Sequence, residues 1–213
     1  MIREDTLPHP VRIGQPAPNF AARSTCGAVE LAQFRGRWVI MFSHPGDFTP
    51  VCTSEFVALA EAQPRFQACG AELLGVSVDS LNSHLAWLRS IKDRTGVEVR
   101  FPIIEDPTLQ IAQAYGMIPE DASDASTVRS TYFIDPEGIV QAITCYPYNV
   151  GRSVEEMLRL LSALVATQGN TGLCPEGWKT GDPVLTLAEP SLDQVFAGQS
   201  TDWFMNGLAP NGR

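Results

Sequence analysis

The sequence predicts an α/β domain with a mixed central sheet flanked by helices over residues 11–166, followed by an irregular C-terminal extension over 167–213. Three observations carry this reading. Short apolar runs rich in β-formers alternate with helically spaced apolar residues. Two late runs are joined by strong turn chemistry. From Thr167 onward the composition shifts toward Gly, Pro and polar residues.

The elements follow in order. Trp38–Phe42 (Trp-Val-Ile-Met-Phe) is a strand by its branched and aromatic residues. Cys52 to Ala60 reads as a helix, which Pro64 is expected to break, kink or restart. Leu73–Val78 is a second strand, ending at Asp79-Ser80. Leu81, Leu85, Leu88 and Ile91 then repeat at helical spacing. A short helix from Leu109 to Tyr115 ends at Gly116. Thr131–Ile134 and Ile139–Thr144 form an antiparallel hairpin around Asp135-Pro136-Glu137-Gly138. Val154, Met157, Leu158, Leu161 and Leu164 mark a last helix. Beyond it, Trp178, Val184, Leu185, Phe196, Trp203 and Phe204 are scattered apolar anchors. Such anchors indicate a segment that packs on something rather than a disordered tail.

Composition narrows the function classes. The 213 residues are 44% hydrophobic, enough for a sizeable core, and only 18% charged, which hints at extra surface buried in an oligomer. A net charge of −9 without a basic stripe argues against nucleic-acid binding. No apolar run approaches the roughly 18 residues that suggest a membrane helix. Met1 to Pro18 lacks the apolar stretch of a signal peptide, so the expected location is the cytoplasm. His9, His44 and His84 are scattered without paired spacing, so neither a metal nor another cofactor is expected.

The five cysteines are Cys26, Cys52, Cys69, Cys145 and Cys174, with no C-x-x-C pair. In a reducing cytosol they are expected to be free, and each is by default a small buried hydrophobe. Cys52 has a different setting. Thr49 is a good N-cap and Pro50 suits the first helical position, which puts Cys52 in the first helical turn. Unpaired N–H groups and the helix dipole favour negative charge there, and hence a thiolate. His44 is the one general base in this segment. Asp47 is near it, but sequence neighbours rarely complete a Cys–His hydrolase triad. Displacement at an O–O bond suits such a thiolate better, with nearby donors stabilising the leaving oxygen.

Pro45, Thr49 and Cys52 match the Pro-x-x-x-Thr-x-x-Cys signature of peroxiredoxins. The longer string from Ser43 to Glu55 resembles the one-Cys subfamily and its archaeal thioredoxin-peroxidase relatives. Arg12–Phe20, Gly75–Ser80, Tyr146–Arg152 and Trp178–Val184 resemble the same subfamily, so the likeness covers nearly the whole chain. It implies a thioredoxin-like fold and a thiol peroxidase acting on hydrogen peroxide and organic hydroperoxides, in antioxidant defence. It also implies roles for individual residues. Cys52 is the peroxidatic cysteine. Thr49 donates and accepts hydrogen bonds to thiolate and peroxide, and Pro45 shields the sulfur. Arg129 favours the thiolate and holds a peroxide oxygen. His44, Glu55 and Arg152 orient the pocket. The implied partners are an external thiol or thioredoxin-type reductant and a second copy of the chain. The extension lies at that dimer contact, and some relatives form rings of five dimers.

Two departures matter. No cysteine follows Cys174, so the usual C-terminal resolving cysteine is absent. This favours a one-Cys cycle, with Cys174 as the competing resolving residue. Arg37 stands where mammalian members carry a lipase-like serine, so phospholipase activity from that site is not expected. A redox sensor using the same Cys52, and a chaperone-like oligomer independent of it, are the alternatives from other classes.

Overall fold

A computed structural model describes residues 10–118, 123–170 and 172–186. These fall into two compact units, one ending at Val154 and the other beginning at Glu155.

The first unit is built on a seven-stranded mixed sheet. Its strands are β1 (Ala21–Ser24), β2 (Gly27–Glu30), β3 (Trp38–Ser43), β4 (Ala71–Ser77), β5 (Ile103–Glu105), β6 (Arg129–Ile134) and β7 (Val140–Tyr146), in the order β2-β1-β5-β4-β3-β6-β7. β3, β4 and β5 are parallel, joined by crossovers through α1 (Pro50–Ala68) and α2 (Leu81–Thr95). β1, β2, β6 and β7 pair antiparallel. All six residues of β3 are buried, as expected of a central strand covered on both faces. Alternate residues serve two cores. Val39 and Met41 join Leu74, Val76, Ile104, Tyr115, Tyr132 and Ile134. Phe42 instead packs edge-on against Phe56 of α1, at 5.5 Å between centroids, and against Phe101 at 5.8 Å.

The predicted strands, hairpin and helices are present, with four corrections. Pro64 lies inside α1, which runs on to Ala68. The proline removes one backbone donor, but Phe56, Leu59, Ala62 and Phe66 are buried along the helix on both sides of it. That apolar burial outweighs a single lost bond. The buried stripe of α2 is His84, Trp87 and Ile91, whereas Leu85 is 47% exposed. The reason is polar satisfaction. Trp87 Nε1 donates to Thr53 Oγ1 at 3.1 Å, and His84 has a buried carboxylate partner described below. The hairpin of β1 and β2 and the three-residue β5 were not predicted, because strands this short carry too few residues for a period-2 pattern. Finally, the default of buried cysteines fails for Cys26 and Cys145, which are exposed, and for Cys69 and Cys174, which are partly so.

α3 (Gln110–Tyr115) ends as predicted, with Gly116 left-handed at φ 66°. The second unit opens with α4 (Val154–Ala166), whose Met157, Leu158, Leu161 and Ala163 are buried. Of the predicted anchors, Trp178 is buried and its Nε1 donates to Asp182 O at 3.0 Å. Leu173 and Leu185 exchange two backbone hydrogen bonds of 2.8 Å, while Val184 is exposed. Phe196, Trp203 and Phe204 lie outside the described residues. Among the described residues no helix is long and apolar enough to cross a membrane.

Candidate active site

Ser43 ends β3 and α1 begins at Pro50, so residues 44–49 form an arm between strand and helix. Thr49 holds the N-cap position with extended backbone (φ −96°, ψ 146°), and Pro50 is the first helical residue. Cys52 is therefore third in the helix, as the sequence predicted. It is also the one cysteine that is fully buried, at 0% exposure.

The neighbouring strand supplies its cationic partner. β6 runs antiparallel to β3 with Phe42 opposite Thr131, which brings Arg129 to the same end of the sheet. Arg129 is itself 0% exposed. Its Nη1 donates to Cys52 Sγ at 3.2 Å and to Glu55 Oε2 at 2.8 Å. Nε and Nη2 both donate to the carbonyl of Tyr148, at 3.0 and 2.8 Å. Glu55 lies three residues beyond Cys52 and so shares its helix face. A second guanidinium closes on the same carboxylate. Arg152 reaches Oε1 through its backbone N at 2.7 Å and Nε at 2.9 Å, and Oε2 through Nη2 at 2.9 Å. Its Nη1 donates to Ser130 O at 3.0 Å, and the cation lies 5.2 Å from the centroid of the Phe42 ring.

Arg129 thus places a buried positive charge against the sulfur, an arrangement that favours negative charge there. Two buried guanidinium groups face one carboxylate, and Cys52 Sγ is a further acceptor on the same side. Burial pushes the Glu55 carboxyl up, but bonds and charge from Arg152, with Arg129 behind them, more than offset this and hold it below the usual range.

The arm is tied at several points. His44 N donates to Val76 O at 3.1 Å, and Thr127 Oγ1 donates to His44 O at 3.0 Å. Pro45 is buried. Thr49 Oγ1 donates to Gly46 O at 2.9 Å. Its proton is thus engaged by backbone, which leaves the oxygen free to accept. Nor does the Thr49 side chain cap the helix.

His44 and Asp47, set aside above as mere sequence neighbours, are bonded. His44 Nε2 lies 3.0 Å from Asp47 Oδ1. On the far side His84 Nδ1 lies 2.8 and 3.0 Å from the two carboxylate oxygens. Two of the three histidines that looked scattered therefore share one carboxylate. Burial lowers the affinity of His44 for a proton, although Asp47 opposes this. Burial pushes Asp47 up, but the bonds from His44 and His84 more than offset it, so Asp47 stays ionised. The three residues could also form a metal donor set. The outer nitrogens, His44 Nδ1 and His84 Nε2, are buried without a partner. As metal ligands both imidazoles would strand an N–H, whereas ligating histidines normally donate theirs. The hydrogen-bonded reading fits better.

The structure thus brings together Cys52, Arg129, Glu55 and Arg152, and places Pro45, Thr49 and His44 on the adjoining arm. Cys174 belongs to the second unit, where its Sγ lies 3.8 Å from Ala163 O and burial pushes its thiol up, partly opposed by Arg159. Sequence reasoning missed His84 and the carbonyl of Tyr148. A carbonyl leaves no sequence signal. His84 had one, as a polar residue at helical spacing from Trp87.

Residues 13–143 match the AhpC/TSA family. A peroxiredoxin 2 of Caldanaerobacter subterraneus is 43% identical, over 91% of each chain. A peroxiredoxin of Aquifex aeolicus is 45% identical, over 91% of this chain and 95% of that one. Among solved structures, a yeast mitochondrial 1-Cys peroxiredoxin superposes with a TM-score of 0.79 at 36% identity, covering 88% of this chain and 92% of that one. A Plasmodium vivax 2-Cys peroxiredoxin gives 0.77 at 33% identity, over 88% of this chain and 100% of that one. Resolving mechanisms of both kinds therefore occur on this fold. With family match, identity and fold in agreement, the chain belongs to the AhpC/TSA family and is a peroxiredoxin, a thiol-dependent peroxidase of thioredoxin-like fold.

Proposed function

We propose that Cys52 is the peroxidatic residue and that it works in a one-Cys cycle. The observation that carries this is the bond from Arg129 Nη1 to Cys52 Sγ, made inside a buried network that Glu55 and Arg152 complete. In the first step the Cys52 thiolate attacks the terminal oxygen of hydrogen peroxide or an organic hydroperoxide. The S–O bond forms as the O–O bond breaks, and the leaving oxygen departs as water or alcohol after taking up a proton. Sulfur is oxidised to sulfenic acid and the peroxide is reduced. Arg129 compensates negative charge on sulfur and on the oxygen transferred to it. Thr49, with its own proton on Gly46 O, accepts from the peroxide hydroxyl. Pro45 shields the sulfur, while His44, Glu55 and Arg152 fix the pocket.

An external thiol then condenses with the sulfenic acid, releasing water, and a second thiol releases Cys52 as a disulfide forms between the two reductants. Support comes from the raised thiol of Cys174, which makes it a poor thiolate source. The solved 1-Cys relative from yeast, described as resolved through glutathione and thioredoxin systems, gives the reductant class. The working unit is a homodimer in the cytoplasm, with residues 11–166 as the peroxidase domain and 167–213 at the dimer contact. Light scattering tests whether five dimers close into a ring.

Peptide mapping after one equivalent of hydrogen peroxide tests the cycle. One oxygen on the Cys52 peptide is expected. A Cys52–Cys174 disulfide would overturn the one-Cys cycle, and an untouched Cys52 would overturn the site. Cys174→Ser is expected to keep turnover with both dithiothreitol and a thioredoxin system. Loss with thioredoxin alone would make Cys174 the resolving residue.

A further inference from the structure

We infer that His84 is a positioning residue of the peroxidase site, acting through Asp47 to hold the arm that carries Pro45 and Thr49. The inference rests on the function proposed above.

The arm contains a strained point that needs outside support. Phe48, between Asp47 and Thr49, is left-handed at φ 56°, and its side chain is 59% exposed. A non-glycine residue is sterically disfavoured in that region, because its Cβ crowds the following carbonyl oxygen. An exposed ring offsets little of this through packing. The arm is held in this shape by bonds on its neighbours. Thr49 has its bond to Gly46 O. Asp47 is held at both its backbone and its side chain. Its N–H donates to Asp79 Oδ2 at 2.9 Å, and Asp79 Oδ2 also accepts from Ser77 Oγ at 2.7 Å. Its carboxylate lies between two imidazoles.

Those two imidazoles are not equivalent. His44 belongs to the arm, so its bond to Asp47 only folds the arm on itself. His84 comes from α2, thirty-seven residues away, and ties the arm to a packed helix. The anchor is rigid. His84 is 0% exposed, and Trp87, one turn on, stacks on His44 at 5.3 Å and donates to Thr53 of α1. The unpartnered outer nitrogens fix the direction of the protons. With Asp47 ionised, His44 Nε2–H and His84 Nδ1–H both point into the carboxylate. Among the described residues the imidazole of His84 thus bonds to Asp47 alone, through Nδ1 to its two carboxylate oxygens, and that contact sets the arm against α2. Arg129, Glu55 and Arg152 do not depend on it.

The test compares two reactions at Cys52. Reduction of hydrogen peroxide needs Thr49 and Pro45 in place, whereas alkylation by iodoacetamide needs neither, only the thiolate and an opening that admits the reagent to the buried sulfur. His84→Leu is expected to slow the second-order reaction with hydrogen peroxide about 10–100-fold, the scale of a misplacement of about 1 Å. Alkylation of Cys52, followed on its peptide by mass spectrometry, is expected to be at least as fast as in wild type. His84→Asn places an amide N–H near the position of Nδ1 and is expected to restore most of the peroxide rate. If His84→Leu does not fold, His84→Gln replaces it, because its amide reaches the place of Nε2 instead and is expected to show the loss. A wild-type peroxide rate in His84→Leu overturns the inference. So does an equal fall in both reactions, or an Asn variant no better than Leu. A wild-type protein whose Cys52 does not react with peroxide sinks the proposed function instead, and the two failures are distinct.

Discussion

Replacing Glu55 with glutamine removes the one carboxylate that faces two buried guanidinium groups. Glu55 accepts four hydrogen bonds in that position, one from Arg129 and three from Arg152. Glutamine keeps the volume but turns one acceptor into an NH₂ donor aimed at guanidinium donors. Breaking one partner of a buried ion pair costs about 3–5 kcal/mol, because the remaining charge stays buried. For a chain of this size each kcal/mol moves the melting temperature about 2–4 °C, so a fall of roughly 6–20 °C is expected. Thermal melts followed by circular dichroism measure it, with urea unfolding as the check on two-state behaviour. The reaction with hydrogen peroxide is expected to slow as well, since Arg129 loses the bond that orients Nη1 toward sulfur. A melting temperature within about 2 °C of wild type, together with an unchanged peroxide rate, would refute the reasoning. It would mean that Arg129 and Arg152 hold their places without the shared carboxylate.

The other expectations are smaller in scope. Cys52→Ser is expected to abolish peroxide consumption, while serine at Cys26, Cys69 or Cys145 leaves it near wild type; a stopped-flow peroxide assay on the four proteins decides. Acid is expected to destabilise the fold in stages. His44, Glu55 and Asp47 all lose proton affinity on folding, so each contributes stability that is complete above its ordinary value of 6.5, 4.5 or 3.8 and is lost as the pH falls toward its lower folded value. A urea midpoint that stays constant between neutral pH and pH 4 would contradict this. Pro64→Ala restores a backbone donor inside α1 and is expected to raise stability by about 1–3 kcal/mol; a lower urea midpoint would show that the proline is favourable there. Gly138→Ala is expected to cost about 1–2 kcal/mol, because Gly138 is left-handed at φ 79° in the turn between β6 and β7. Unchanged unfolding would show that the turn relaxes to accept a side chain.

The singular setting of Cys52 was legible because its cause is local. The Thr-Pro-x-Cys order sets an N-cap, a first helical residue and a third helical position within four residues, and the third position is where donors lack partners. The long strands and helices were legible for the same reason, since their apolar periods repeat several times within one element. Three-residue β5 and the four-residue β1 and β2 repeat too few times for that. The leucine stripe predicted for α2 failed because periodicity counts apolar residues. The true buried face is led by a histidine and a tryptophan whose polar atoms find partners on the arm and on α1.

What the sequence by itself determined was therefore the fold class, the identity of the exceptional cysteine and, through motif resemblance, the family. The tertiary structure decided which charges meet. Arg129 is 77 residues from Cys52, and Arg152 is 97 from Glu55. The pairing of β6 beside β3 brings Arg129 to the end of the sheet where α1 begins, and Arg152 reaches the same end from beyond β7, bonded to Ser130 O, so burial makes each ion depend on its partners. The same holds for His84 and Asp47. Their spacing along the chain signals nothing, because a hydrogen bond between elements is set by distance in the fold and not by separation in sequence.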